Sequence, residues 1–580
     1  MNATRPRRSL RTPLNRRGFI VLVVMIVIVM ITLAGLTYVM TLSTENKAVH
    51  RQGDQLQLAE GLASGMELLK AFCSQSAQLR EEAGGTQDNA AAFGNLTISL
   101  GGGEQDVLQL SVVSPGAEGQ ADGAVRFGLQ NESERLNLAV LADWEQRVPG
   151  SASAALLQLP GMTEATAAAI LDWLDADGQP RSGGAEAEYY AGLGLPYEPR
   201  NGVPALLEEL LLVRDVSRQA LFGGDENLDY RVDAGESQSA TALPSSRGDD
   251  DLPWSRLLTV TSAERNHSWA GQPRVNLNER DLKKLHAQLV EALDQPWADL
   301  VIAYRQFGPA AGDASMPPAM ESQPLRDVPS RVRPSRRGAG AASAGSLDLS
   351  APARFEIASV LDLIGVSVAV PAGAKAPRVA GRPDGTAPAA RPEPRSAEGV
   401  RVLRCPLRDD SPELFDQLPR IVDLTTTTDQ AVIRGRVNIN AAPRCVLLGI
   451  PGLDPGTVDR ILTLRTTGSD ASDLARRQGL WLLTEGLVDR AGLRDLWPYI
   501  TGGGDVFRAQ VVVQRPGSTR QARAEVVVDA AQSPPRQVYW RDLTLRGGTI
   551  SEESLGRGAT ESGPSWSAPA RQSGSSPEET

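Results

Sequence analysis

From Phe19 to Met40 the chain runs 22 residues without a charge, and no other feature of the 580-residue sequence restricts its fold as much. A helix rising 1.5 Å per residue covers roughly 33 Å over that length, enough to cross a hydrocarbon layer of about 30 Å. A cleavable secretory leader has an apolar core of only about 7–15 residues, so this segment stays with the protein. Before it stand Arg5, Arg7, Arg8, Arg11, Arg16 and Arg17 with no acid among them, and the first charges after it are the mixed set Glu45, Lys47 and Arg51. By the positive-inside rule the start remains cytoplasmic and the bulk is exported.

Past the apolar run the period stays helical. Leu56, Ala59, Leu62 or Ala63, Met66, Leu69 and Cys73 recur at three- and four-residue steps, which predicts one long helix to about Arg80. Then the period becomes two. Residues 95–100, 107–113 and 124–130 read as short strands between Gly-rich turns, and so do 507–514, 522–530 and 537–545. Between these two sets lies a repeat. "LLQLPGMTEATAAAIL" (156–171) and "LLGIPGLDPGTVDRIL" (447–462) align without a gap. Each reads as helix, Pro-Gly turn and second helix, with Thr163 or Asp454 as the N-cap and Pro455 at a first helical position. That is a helix-hairpin-helix. Weaker second hairpins follow at 206–223 and 481–501. Three related lead-ins begin at Arg135, Arg274 and Arg436, each a strand handing over to a helix, with Asn278 and Asn440 as candidate caps.

The junction Arg16-Arg17-Gly18-Phe19 resembles the prepilin signal of type IV pilins and type II secretion pseudopilins. "ESERLNL" (132–138), "DWLDADGQPRSGGAEAEYY" (172–190) and "RVNINAAPRCVLLGIPGL" (436–453) narrow the resemblance to the GspK family of minor pseudopilins, general secretion pathway protein K. The resemblance implies that a prepilin peptidase cuts after Gly18 and that Phe19 is then methylated. It also implies partners among the other minor pseudopilins and the major pseudopilin. Most pilin-type subunits carry Glu at the fifth mature position; this chain has Val23. In the family that carboxylate meets the amine of the subunit above, because a lone charge in lipid is costly. A subunit with nothing above it needs none.

The implied fold class is α+β: an N-terminal transmembrane, pilin-type long helix, a small antiparallel sheet, and large inserted all-α helix-hairpin-helix (SAM-like) domains joined by disordered linkers. The expected divisions are a leader at 1–18, a stem at 19–80, a sheet from 90–140 with 505–545, and a first helical domain at 141–223. An acidic loop and small αβ segment follow at 224–308. Low-complexity linkers at 309–350 and 371–400 flank a short ordered stretch at 351–370. A second helical domain at 401–502 and a disordered tail at 546–580 complete the chain. The expected location is the inner membrane, single-pass, with the N-terminus cytoplasmic and the bulk periplasmic.

One constellation has metal-binding spacing. Asp225, Asn227, Asp229, Asp233 and Glu236 occupy positions 1, 3, 5, 9 and 12 of an EF-hand calcium loop, and Arg231 is at position 7, where the ligand is a backbone carbonyl. Tyr230 stands where the turn favours Gly. The bland alternative is a solvated acidic linker. Asp175 and Asp177 read as a helix-ending turn. A catalytic role has little support: the three histidines, His50, His267 and His286, accompany no Gly-x-Ser-x-Gly elbow, phosphate loop or Cys/His zinc spacing, so neither an enzyme nor a small-molecule substrate is expected. Formal charge of −11 and acidic hairpin turns (Glu164, Asp454) speak against nucleic acid. The competing class is a membrane-anchored, competence-type DNA-binding protein. Cys73, Cys405 and Cys445 allow at most one intrachain disulfide.

Overall fold

The computed structural model describes residues 17–100, 107–116, 124–194, 196–233, 236, 252–310, 347–371, 400–407, 413–467 and 473–556. Most of the leader, most of both expected linkers and the tail beyond 556 lie outside the described residues.

Helix α1 (Arg17–Ser74) is 58 residues long. Over Phe19–Met40 its apolar side chains are exposed on every side, which suits a helix surrounded by lipid. Further on it becomes one-sided. Leu58, Leu62, Met66, Leu69 and Cys73 are buried, whereas Leu56 remains 62% exposed and Ala59 is exposed as well. From Leu62 onward the contact face is the one the periodicity suggests; only its first turn differs, Leu58 being buried in place of Leu56 and Ala59, and two glycines set how closely the helix approaches. A Cβ built on Gly61 would lie 2.7 Å from Val513 Cγ1, and one on Gly65 would lie 2.5 Å from Val511 Cγ1. The backbone of α1 settles onto the sheet at this notch, so the residues flanking the glycines become the buried ones. The helix stops at Ser74. Ser76 then caps a separate short helix, Ala77–Glu82, its hydroxyl accepting from the Leu79 N–H at 3.3 Å.

The sheet has seven strands: β1 (Leu96–Ser99), β2 (Val107–Pro115), β3 (Val125–Phe127), β4 (Gln130–Asn131), β5 (Val506–Gln514), β6 (Gln521–Asp529) and β7 (Arg536–Asp542). The order is β1-β2-β5-β6-β7, with β3 beside β2 and β4 beside β5, all antiparallel. Alternation divides the faces. Leu108, Leu110, Val112, Phe507, Ala509, Val511, Val513, Ala524, Val526 and Val528 form one core with α1. The opposite face carries Ser111, Gln510, Arg523 and Glu525. Ser111, Gln510 and Arg523 are nonetheless buried.

That polar face is covered. Val113 and Val512 pack with Ile550 and Leu555 from the chain beyond β7, and Tyr230 joins them. The ordered chain thus continues past the expected boundary at 545, because Ile550 and Leu555 find an apolar patch; the residues after 556 lie outside the description.

The sheet is left at Asn131 and re-entered opposite it at Phe507. The intervening head contains α2 (Glu164–Leu174), α3 (Leu282–Ala292), α4 (Gln295–Phe307) and α5 (Pro455–Thr467), with the helix Glu413–Leu424 and shorter helices. Three two-residue parallel pairings close it into units: Leu136–Asn137 with Leu258–Thr259, Val275–Asn276 with Thr425–Thr426, and Val437–Asn438 with Ile500–Thr501. The three related lead-ins are the first strands of these pairs. One apolar core runs through all three, from Leu136 to Ile500. Cys73, Cys405 and Cys445 are buried, and no disulfide joins them.

The repeated Pro-Gly segments have matching turns. Met162 donates to the Leu159 carbonyl and Leu453 to that of Ile450, with Gly161 at φ 66° and Gly452 at φ 90°. Pro followed by a positive-φ Gly is the type II arrangement. Thr163 accepts from the Thr166 N–H at 3.1 Å and Asp454 from the Thr457 N–H at 3.0 Å, so both serve as N-caps. Asn278 and Asn440 do not cap helices. Asp281 caps α3, and the short helix after Asn440 starts at Pro443 without a side-chain cap. The two asparagines sew the units shut instead. Asn278 Nδ2 donates to the carbonyls of Ile357 and Thr427, and Asn440 Nδ2 to those of Arg476 and Gly502, every distance being 2.9 Å.

Candidate cation-binding loops and the junction of head and sheet

The expected calcium loop leaves the short helix Arg218–Phe222 and bends back on itself. Asp225 accepts from the N–H groups of Asp229 (3.2 Å) and Tyr230 (2.9 Å), and Asn227 Oδ1 accepts from Asp229 N–H at 2.9 Å. The Arg231 N–H donates to Asp229 Oδ1 at 3.1 Å. Glu236 reaches across the loop, Oε1 accepting from Glu226 and Asn227 N–H and Oε2 from Asp233 N–H. Ala234 and Gly235 lie outside the described residues. Tyr230 has φ 69°, the left-handed conformation that position six requires, even though it is not Gly. Its ring compensates by anchoring in the apolar patch on the sheet.

Burial pushes the Asp225 carboxyl up to about 6, against the pull of its N–H donors, and burial also raises Asp229. Arg523 is a cation that acts on both. The loop borders an open cavity of about 590 Å³ lined by Arg218, Glu226, Asn227, Asp233, Glu236 and Arg546. The hard oxygens fit a divalent cation in kind and order, but the carboxylates are turned to the loop's own N–H groups. Among the described residues, Asp225, Asp229, Asp233 and Glu236 do not bring three carboxylates within 4.8 Å of one another.

A tighter group forms elsewhere. Asp175, Asp177 and Glu186 offer oxygens that all lie within 4.8 Å of one another. Asp175 does end α2 as its C-cap. The same turn also brings it to Glu186, which is 5% exposed and has an Oε1 without a hydrogen-bond partner, as has Asp175 Oδ1. Burial, then the neighbouring aspartates, raises the Glu186 carboxyl. Asp172 and Asp175 share Arg181. The sequence lacks a fixed-spacing signature joining Glu186 to Asp175 and Asp177, since the loop between them sets the approach.

At the junction, Glu132 is fully buried. Its Oε1 accepts from Arg508 Nε at 2.6 Å and faces Arg135 NH1 at 3.3 Å, and Thr259 bonds its other oxygen. Arg508 NH1 reaches Glu525 at 3.0 Å. Burial drives the Glu132 carboxyl up, yet Arg135 and Arg508 outweigh it and hold it at about 2. This cluster joins the head's first strand pair to β5 and β6. A second tie runs from Arg80 NH2 to Asp505 Oδ1 at 2.6 Å, and Asp505 Oδ2 accepts from Arg265 N–H.

Phe19, the residue after the expected cut, and Gly18 both lie in the first turns of α1, with Phe19 71% exposed. The family described as "Type II secretion system (T2SS), protein K" matches residues 134–221, which run from the junction through both candidate turns of the first unit to the helix before the calcium-like loop. No curated protein matches the chain. Among solved structures, a chain of the GspK-GspI-GspJ complex from the enterotoxigenic Escherichia coli type 2 secretion system is similar over 85% of this chain and 99% of its own length. Identity is 10% and the TM-score 0.28, too low to argue from. Residues 134–221 are thus a domain of the type II secretion system protein K kind, inserted behind an N-terminal apolar helix.

Proposed function

We propose that the chain starts or caps the pseudopilus tip in the periplasm, and that it acts by assembly rather than catalysis. The observation that carries this reading is the site of the protein K domain: it belongs to a head inserted between β4 and β5, above a stem whose apolar run is entirely exposed. The stem supplies an inner-membrane anchor and a packing element, and the head supplies bulk at the end of the filament. Val23 leaves the membrane segment without a carboxylate to pair with a subunit above. Other minor pseudopilins and the major pseudopilin are the partners, and a prepilin peptidase removes residues 1–18.

The inserted units are helix-hairpin-helix (SAM-like) modules in this reading. Their Pro-Gly turns are capped by Thr163 and Asp454, side chains that offer oxygen rather than positive charge, which suits protein packing better than phosphate binding. Calcium is the cofactor: Asp225, Asn227, Asp229, Asp233 and Glu236, with the Arg231 carbonyl, would hold one ion, and the group of Asp175, Asp177 and Glu186 a second. Bound calcium would add positive charge among these carboxylates and would stiffen the head.

The mature N-terminus tests the assignment. Mass spectrometry is expected to find methylated Phe19 with residues 1–18 removed. An intact Met1, or a cut beyond Met40, would overturn it.

A further inference from the structure

The two faces of the sheet are covered in chemically different ways. Against α1 lies a continuous apolar layer, Leu110, Val511, Val513, Val526 and their neighbours, which would cost much free energy if uncovered. On the opposite face, beyond the Glu132–Arg508–Glu525 cluster, the covering loop and strap are held chiefly by polar contacts to backbone carbonyls. Arg523 donates from NH1 to Leu228 O (3.0 Å) and from NH2 to Asn227 O (3.0 Å) and Gly547 O (2.7 Å). Gln510 Nε2 donates to Leu228 O at 2.7 Å. Gln521 exchanges two hydrogen bonds with the backbone of Ile550. Water can replace each of these bonds. Under the loop and strap the apolar part is small, Tyr230, Ile550 and Leu555 over Val113 and Val512, and a separate cluster of Ala263, Val506, Val527 and Ala531 covers another part of the face.

The cover has two pieces from distant parts of the chain. One is the loop 225–233 of the head, and the other is the strap 543–556 after β7. Arg523 grips both with one guanidinium. The pieces also touch directly. A Cβ on Gly548, which has φ 66°, would lie 2.5 Å from Asn227 Oδ1 and 2.7 Å from Asp229 Oδ2. Arg546 NH1 donates to Glu226 O at 3.3 Å.

We propose that loop 225–233 and strap 543–556 form a two-part latch that opens and closes as one unit on the polar face of the sheet. Closed, it fixes the head's angle to the stem. Open, it returns Arg523 and Gln510 to water while the apolar stem face stays covered. The latch stands on these contacts alone; only its response to calcium rests on the proposed cofactor.

The test is hydrogen–deuterium exchange on the full chain in detergent micelles, read by mass spectrometry. Gly548→Val disturbs the strap, and Tyr230→Ser removes the anchor of the loop. Each is expected to speed exchange in both 225–233 and 543–556 by roughly tenfold or more, with α1 and β5 unchanged. If Gly548→Val unfolds the sheet, Tyr230→Ser gives the answer. A rise confined to the substituted segment, the other keeping wild-type exchange, overturns the latch. In the wild type, 1 mM Ca²⁺ against EDTA should slow both segments together if the loop takes the ion. Slowing of the loop alone would also overturn the latch. No slowing of either would sink the calcium reading and leave the latch to be decided by the two variants.

Discussion

Alanine at Gly65 should destabilise the protein, and alanine at Gly53 on the same helix should stabilise it. In an open helix Gly→Ala gains about 0.8–1 kcal/mol from backbone propensity. Gly53 is such a case, with nothing within 4 Å of the position its Cβ would take. At Gly65 the new methyl would lie 2.5 Å from Val511 Cγ1 and 2.8 Å from Leu110 Cδ1. Ordinary carbon contacts need about 3.5–4.0 Å, so the helix or the strands must retreat by about 1 Å. Val511 is fully buried and β-branched, with little freedom to turn aside. Overpacking of this kind costs about 1–3 kcal/mol. Set against the propensity gain, Gly65→Ala should lose up to about 2 kcal/mol, and the two alanine variants should differ by about 1–3 kcal/mol. Urea unfolding of the solubilised chain, followed by near-ultraviolet circular dichroism, reads the difference as separated midpoints. Coincident midpoints, or a Gly65→Ala more stable than wild type, would refute the notch.

Acid should weaken the junction through Glu132. Its folded value of about 2 lies below the ordinary 4.5, so its contribution is complete above pH 4.5 and is lost as pH falls toward 2, on the order of 3 kcal/mol. Glu132→Gln should cost about 3–5 kcal/mol at pH 7 and flatten that acid slope; an unchanged slope in the variant contradicts the role given to the pair. Calcium affinity should fall as pH drops through about 6, because Asp225 must lose its proton to bind. Calorimetric titrations at pH 7.5 and 5 with equal Kd would exclude Asp225 as a ligand, and Glu236→Gln should weaken binding at the higher pH. Asn440→Ala strands the Arg476 and Gly502 carbonyls and the Trp481 N–H, and should cost about 1–3 kcal/mol, measurable by urea midpoint. Gly18→Asp should block processing while Val23→Glu is cut normally; equal mature yields on an immunoblot would remove Gly18 from the processing site.

Where the sequence speaks through hydropathy, it is legible. The apolar run, the two sets of alternating strands and the repeated Pro-Gly turns each announce themselves within a window of twenty residues or so. The close seat of α1 on the sheet does not, because Gly61 and Gly65 carry no hydropathic weight and act by what they lack. The closing strands Leu258–Thr259 and Thr425–Thr426 are two residues long and pair across more than a hundred positions, too short for any periodicity to register. Asn278 and Asn440 look like caps from their neighbours, and only the closed unit reveals the carbonyls they serve. Around the candidate ions, spacing brings Asp225 to Glu236 into view, but the approach of Glu186 to Asp175 depends on the loop between them. Tyr230 looks like a defect in sequence because its partners, Val113 and Val512, belong to strands far away in the chain.

Asn131 and Phe507 share one rung of the sheet, so everything from 132 to 505 is, topologically, a single hairpin connection. Closing a flexible connection costs free energy that grows only with the logarithm of its length, about 0.6 kcal/mol for each doubling. A head of one, two or three closed units is therefore nearly equivalent as far as the strands beneath it are concerned. Each unit, moreover, returns its ends to adjacent strands, which lets it be added or lost like a bead on a closed loop. The size of the head can thus drift between relatives while the stem and sheet keep one shape.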